Sequence, residues 1–208
     1  MKLFWIIILL PIFTIAQDQE KAYSFKKVSE VAVTKVKDQQ SAGTCWSFAT
    51  TSFIESELLR IQKKEYDISE LFFVRYAYAQ KAKNYVRLHG KANFSQGGQA
   101  HDVLNVISKY GMVPEKEYKG LEYGFKEHNH SEVSAAMKGF LDGVLKGKSK
   151  KLSTAWDEAF EGILNAYFGD APGEFTYDKK NYTPLSFFKE SNINVYDYIE
   201  ITSFTHLP

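Results

Sequence analysis

Along this chain apolar residues recur mostly at the spacing of a helix and seldom at that of a strand. From Cys45 to Ile61, the positions Trp46, Ala49, Phe53, Ile54, Leu58 and Ile61 share one broad arc, with Glu57 at its edge, and predict an amphipathic helix. "YDISELFFVRYAYAQKAKNYVRL" (66–88) predicts a second helix, with Asp67 or Ser69 as the cap at its start. Ala100–Gly111 predicts a third, stopped by the glycine. Ser131 to about Leu145 forms a fourth. Ser153–Gly169 forms a fifth, with Trp156, Ala159, Phe160, Ile163, Leu164 and Tyr167 on one side. Thr183–Asn192 reads as a capped helical turn. Extended readings fall on Val31–Gln39, on "EFTYD" (174–178) and on "VYDYIEITSF" (195–204). His89–Gln99 is a glycine-punctuated loop, and 112–124 is irregular. The pattern is α+β and helix-rich, with strands mainly towards the end.

Composition narrows the function classes. A hydrophobic fraction of 44% in 208 residues supports one good-sized domain with a core. A net charge of +1 gives no support to a nucleic-acid partner or a membrane-surface role. At the N-terminus, Lys2, the apolar run Leu3–Phe13 and the small residues around Ala16 resemble an export signal cleaved before Gln17. The run is short of the roughly 20 residues that span a bilayer, so stable membrane insertion is not expected. Residues 1–16 are thus expected to be a signal peptide, residues 17–208 a domain, and the protein secreted or periplasmic.

Chemistry concentrates in "DQQSAGTCWSFAT" (38–50), which holds the chain's single cysteine. One cysteine makes no internal disulfide, and a lone free thiol in such a protein is either buried or used. Cys45 stands where loop gives way to helix, and aligned backbone dipoles at a helix N-terminus favour a thiolate. Gly43 allows tight backbone approach. Gln39 supplies an amide donor suited to the charge that thiolate attack builds on a carbonyl oxygen. The alternative for Cys45 alone is a small buried hydrophobe.

With Gln39, Gly43, Cys45, Trp46 and Phe48 in register, the segment resembles the active-site segment of papain-like cysteine peptidases. The resemblance implies that Cys45 is the nucleophile and Gln39 the oxyanion donor. It also implies that "SQGG" (95–98) is a loop whose Gly97 and Gly98 pair with substrate backbone, although a plain turn explains two glycines equally simply. Two departures point to the bleomycin hydrolase/aminopeptidase C branch. Ala42 stands where typical members carry a disulfide-bonded cysteine, and the stretch from Gln17 to Thr44 is too short for an inhibitory propeptide. Longer segments, including 68–85, 97–118 and 163–188, resemble the same branch. The implied fold is the helical left-hand domain with an insertion, followed by the start of the β-rich right-hand domain. The implied partners are peptide substrates and, from relatives, further copies of the chain as a homo-oligomer. No cofactor or metal is implied.

A thiol peptidase also needs an imidazole base and a group to orient it. His89 and His101 come too early for the papain order, and His101 reads as a capping or surface residue. His128 and His130 suggest a metal pair only weakly, since no third ligand is placed by spacing. His206 stands near the family's distance but has no orienting Asn after it, and reads as structural. The expectation is a chain that ends before its His and Asn and is inactive alone. The competing expectation is a non-catalytic peptide-binding or inhibitory module derived from half a peptidase.

Overall fold

The computed structural model describes residues 23–147 and 151–201. Contacts divide the chain into an N-terminal unit, Met1–Glu30, and a larger unit, Val31–Pro208. In the first, residues 23–30 carry no regular secondary structure, and Lys27 pairs with Glu30 at 2.9 Å.

The larger unit is built from α1 (Cys45–Gln62), α2 (Glu70–Arg87), α3 (Ala100–Tyr110), α4 (Ser131–Lys146), α5 (Ala155–Phe168) and α6 (Pro184–Glu190). It also holds a small hairpin, β1 (Phe175–Tyr177) with β2 (Lys180–Tyr182), and 3-10 turns at Glu115–Glu117 and Val195–Asp197. This is the expected α+β, mostly helical architecture.

Helix α2 is the hub. From Leu71 to Ala79 it is apolar on every face but that of Arg75, and Leu71, Phe72, Phe73, Val74, Ala77, Tyr78, Ala82 and Tyr85 are all buried. It packs against α1, α3, α4 and α5. Ser69 starts it: the Ser69 hydroxyl accepts from Phe72 N–H at 3.2 Å and donates to the Tyr118 carbonyl at 2.5 Å. Of the two expected caps, Ser69 is the one used. Each fully buried aromatic here, Phe72, Phe73 and Tyr78 among them, adds about 1.5–3 kcal/mol of burial free energy.

Helix α3 stops at Gly111, which has φ 84° and lies so close to α6 that an added Cβ would meet the Pro184 carbonyl at 2.2 Å. Only glycine satisfies both conditions. The start of α6 is a reciprocal cap, in which Thr183 and Ser186 each accept the other's backbone N–H, with Pro184 as its first residue. The hairpin turns on Asp178 and Lys179, both at positive φ, the twist that suits a two-residue turn. β2, "KNY", was not expected: its polar residues hide the strand, which is fixed by pairing with β1 and by the packing of Tyr182 on Phe175 and Phe187.

Other expectations give way to tertiary context. Val31–Gln39 forms no strand. The strand expected at 195–204 is instead a 3-10 turn followed by irregular chain to Ile201, and residues 202–208 lie outside the described part. Asn194 causes the turn by accepting the Tyr196 N–H on its side chain at 3.2 Å. On α1, Phe53 and Ile61 are exposed, whereas Glu55 is buried to 1%. Glu55 accepts from Lys37 Nζ at 2.7 Å, from Thr34 at 2.6 Å and from Ile68 N–H at 2.8 Å. Lys37 also reaches Asp67 at 2.6 Å and the buried Glu70 at 3.0 Å. One lysine therefore holds two interior carboxylates, and this cluster ties the chain before α1 to the start of α2.

Candidate active site

The loop 38–44 delivers Cys45 as the first residue of α1, exposed to solvent. Thr44 precedes it without a side-chain cap, and the first turn carries no acidic residue. The first backbone N–H groups of that turn are therefore left without a capping side chain or an acidic neighbour in the same turn. Trp46, Thr50, Ile54 and Leu58 anchor the same helix in the core. The thiol is thus mounted on a rigid element. Among the described residues nothing hydrogen-bonds to its sulfur.

The loop is tightly held. Gln39 Nε2 donates to the Ala42 carbonyl at 2.6 Å, which fixes the amide and uses one of its two N–H groups. Gln40 adopts φ 57°, an uncommon conformation for a residue with a side chain, and such strain persists only where surroundings impose it. The imposing partner is the segment 128–130. Ser41 N–H donates to the His128 carbonyl at 3.0 Å, His130 N–H donates to the Ser41 carbonyl at 3.2 Å, and the Gln40 side chain accepts the His128 N–H.

On the other side lies the loop 95–98. Trp46 Nε1 donates to the Gln96 carbonyl at 3.0 Å. Gly98 sits against the Trp46 ring, where an added Cβ would come within 2.6 Å, so the close approach demands glycine. Gly97 is exposed, with open space around its Cα. Cys45, Gln39 and this glycine loop are therefore brought to one region by direct contacts of their neighbours.

Among the described residues no histidine is hydrogen-bonded to the thiol. His89 is exposed at φ 51°. His101 is exposed on α3 and bound through Nδ1 to Glu200 at 2.9 Å. His130 is buried, 3.5 Å from the Tyr78 hydroxyl, with its pKa lowered to about 4 by burial and then by His128. His128 is lowered by burial as well. Both rings are therefore neutral near pH 7, and their backbone, not their imidazole, serves the site. His206 lies outside the described residues. Among the described residues no group of three or more His, Cys, Asp or Glu is placed to hold a metal ion, and no helix is long and apolar enough to cross a membrane.

A model of the papain family of cysteine proteases matches residues 21–165, well over half of the chain. This chain belongs to that family. Cysteine proteinase 1, mitochondrial, of Saccharomyces cerevisiae is 28% identical over 151 residues, covering 64% of this chain and 30% of that protein. Bleomycin hydrolase of Rattus norvegicus is 26% identical over 203 residues, covering 74% of this chain and 42% of the enzyme. Aminopeptidase G of Lactobacillus delbrueckii subsp. lactis is 22% identical over 212 residues, covering 84% and 48%. The chain thus spans less than half the length of these relatives. They bear out the resemblance to the bleomycin hydrolase and aminopeptidase group.

The comparisons correct one expectation. A secreted or periplasmic location is contradicted: the yeast relative is named as mitochondrial. The export signal expected at residues 1–16 lies outside the described residues.

Sequence reasoning also missed Gln96, Lys81 and the 128–130 segment. The loop partners of Gln96 and of the 128–130 segment lie at least 34 residues away and those of Lys81 lie 14 and 16 away, so no local pattern marks them.

Proposed function

We propose that this chain is the nucleophile-bearing part of a papain-family cysteine peptidase that acts on peptide or aminoacyl substrates. Cys45 is the nucleophile. Its thiol gives its proton to the imidazole base that later serves as general acid, its sulfur attacks the substrate carbonyl carbon, and the C=O electron pair moves to oxygen. Gln39 and the Cys45 backbone N–H stabilise that oxyanion. Collapse breaks the C–N bond, the amine leaves with a proton from a general acid, and water then hydrolyses the thioester. Gly97 and Gly98 present backbone to the substrate. The general acid and its orienting group are assigned to the additional length that the relatives have, and residues 1–208 alone do not turn over substrate.

The observation that carries this reading is an exposed thiol at an uncapped helix N-terminus, in a loop whose neighbours contact the glycine loop. It is tested by treating the chain with a peptidyl chloromethyl ketone and mapping the product by mass spectrometry. A single adduct on Cys45 is expected, forming about tenfold or more faster than on an unstructured cysteine peptide. A rate no faster than that peptide's would overturn the reading in favour of the non-catalytic module.

A further inference from the structure

Two loops must keep a fixed register if a thiol and a bound peptide are to meet, and one side chain joins them. Gln96 immediately precedes Gly97. Its Oε1 accepts the Gly43 N–H at 2.7 Å, two residues before Cys45. Its Nε2 donates to the His130 carbonyl at 3.3 Å, and its own carbonyl accepts from Trp46 Nε1 at 3.0 Å, one residue after Cys45. The packing is close: a Cβ on Gly43 would meet Gln96 Cβ at 3.0 Å. From behind, Lys81 on α2 donates to the Ser95 carbonyl at 2.8 Å and also to the Gly97 carbonyl. The loop 95–98 is therefore pinned on three sides, to the nucleophile loop, to the 128–130 segment and to α2. Gln96 alone bonds to two of these as well as to the indole of α1.

We infer that Gln96 is a positioning residue that sets the register of the Gly97–Gly98 loop against Cys45, so that it governs reaction with peptide-bearing reagents and leaves the intrinsic reactivity of the thiol untouched. This rests on the functional reading above. No hydrogen bond joins Gln96 to Cys45 itself, so its effect passes through Gly43 and Trp46. Misplacement of reacting groups by about 1 Å costs up to about a hundredfold in rate, which sets the scale for losing this link.

The test compares alkylation of Cys45 by iodoacetamide, which needs no peptide register, with alkylation by a peptidyl chloromethyl ketone, in the whole chain. For Gln96→Leu the iodoacetamide rate is expected to stay within about twofold, while the preference for the peptidyl reagent falls about tenfold. Gln96→Glu keeps the acceptor for Gly43 N–H but loses the donor to the His130 carbonyl, and is expected to restore only part of that preference. Lys81→Met, which frees the Ser95 and Gly97 carbonyls, is expected to lower it as well. Unfolding midpoints of all variants separate loss of register from loss of fold. An unchanged preference in a folded Gln96→Leu chain overturns the inference and leaves the functional reading standing. A wild-type chain with no preference at all overturns both.

Discussion

Lys37→Met is expected to destabilise the fold by about 3–5 kcal/mol at pH 7, because it removes the partner of two interior carboxylates. Glu55 and Glu70 are exposed to only 1% and 4% of their side-chain surface, and Lys37 Nζ lies 2.7 and 3.0 Å from them. Burial works against the lysine's charge, yet Glu70 and the hydrogen bonds to Asp67 and Glu55 hold its pKa above the ordinary value. Glu70 is raised by burial despite Lys37, and the nearby Glu115 is pushed up to about 8 by burial first and then by Glu70. The sign of the pH dependence follows. In the variant Glu70 and Glu115 bind protons more tightly folded than unfolded, so stability rises as pH falls from about 8 towards 5. Urea midpoints of wild type and variant across that range check it. The gap is expected to be widest at the alkaline end and to narrow towards acid.

Gln39→Ala is expected to lower kcat/KM of the complete enzyme by about 10²–10³-fold, the scale for losing one oxyanion donor. The Gln39 amide is already immobilised by its 2.6 Å bond to Ala42, so its remaining N–H needs no reorganisation when charge develops on the substrate oxygen. The loss should fall mainly on kcat, since the oxyanion exists only in the transition state and the intermediate. Steady-state kinetics on a dipeptide amide distinguish this from a loss of binding, which would raise KM with kcat unchanged.

Much of this arrangement is legible in the residues. Cys45 was expected at a helix start and stands at one, and the five longer helices fall within a few residues of their periodic patterns. Apolar periodicity and capping chemistry are local, so the chain displays them directly. What it hides is non-local. Nothing local marks Glu55 as an interior carboxylate; its burial follows from Lys37, 18 residues upstream, folded against it. Gln96 looks like an ordinary loop residue until Gly43, Trp46 and His130 gather round it. The turn at 195–197 shows the opposite error: its β-branched and aromatic residues suit a strand, but Asn194 offers the backbone a nearer partner. Phe53, placed on the buried arc by periodicity, instead meets Tyr198 edge-to-face at 5.3 Å near the surface of the unit.

The central claim is that Cys45 performs nucleophilic catalysis once the rest of the active site is supplied. The most direct measurement is hydrolysis of an aminoacyl amide by this chain joined to the remaining length of a bleomycin hydrolase relative, alongside the same protein carrying Cys45→Ala. The account predicts turnover by the first and a loss of at least about 10³-fold in the second. Turnover that survives Cys45→Ala would contradict it.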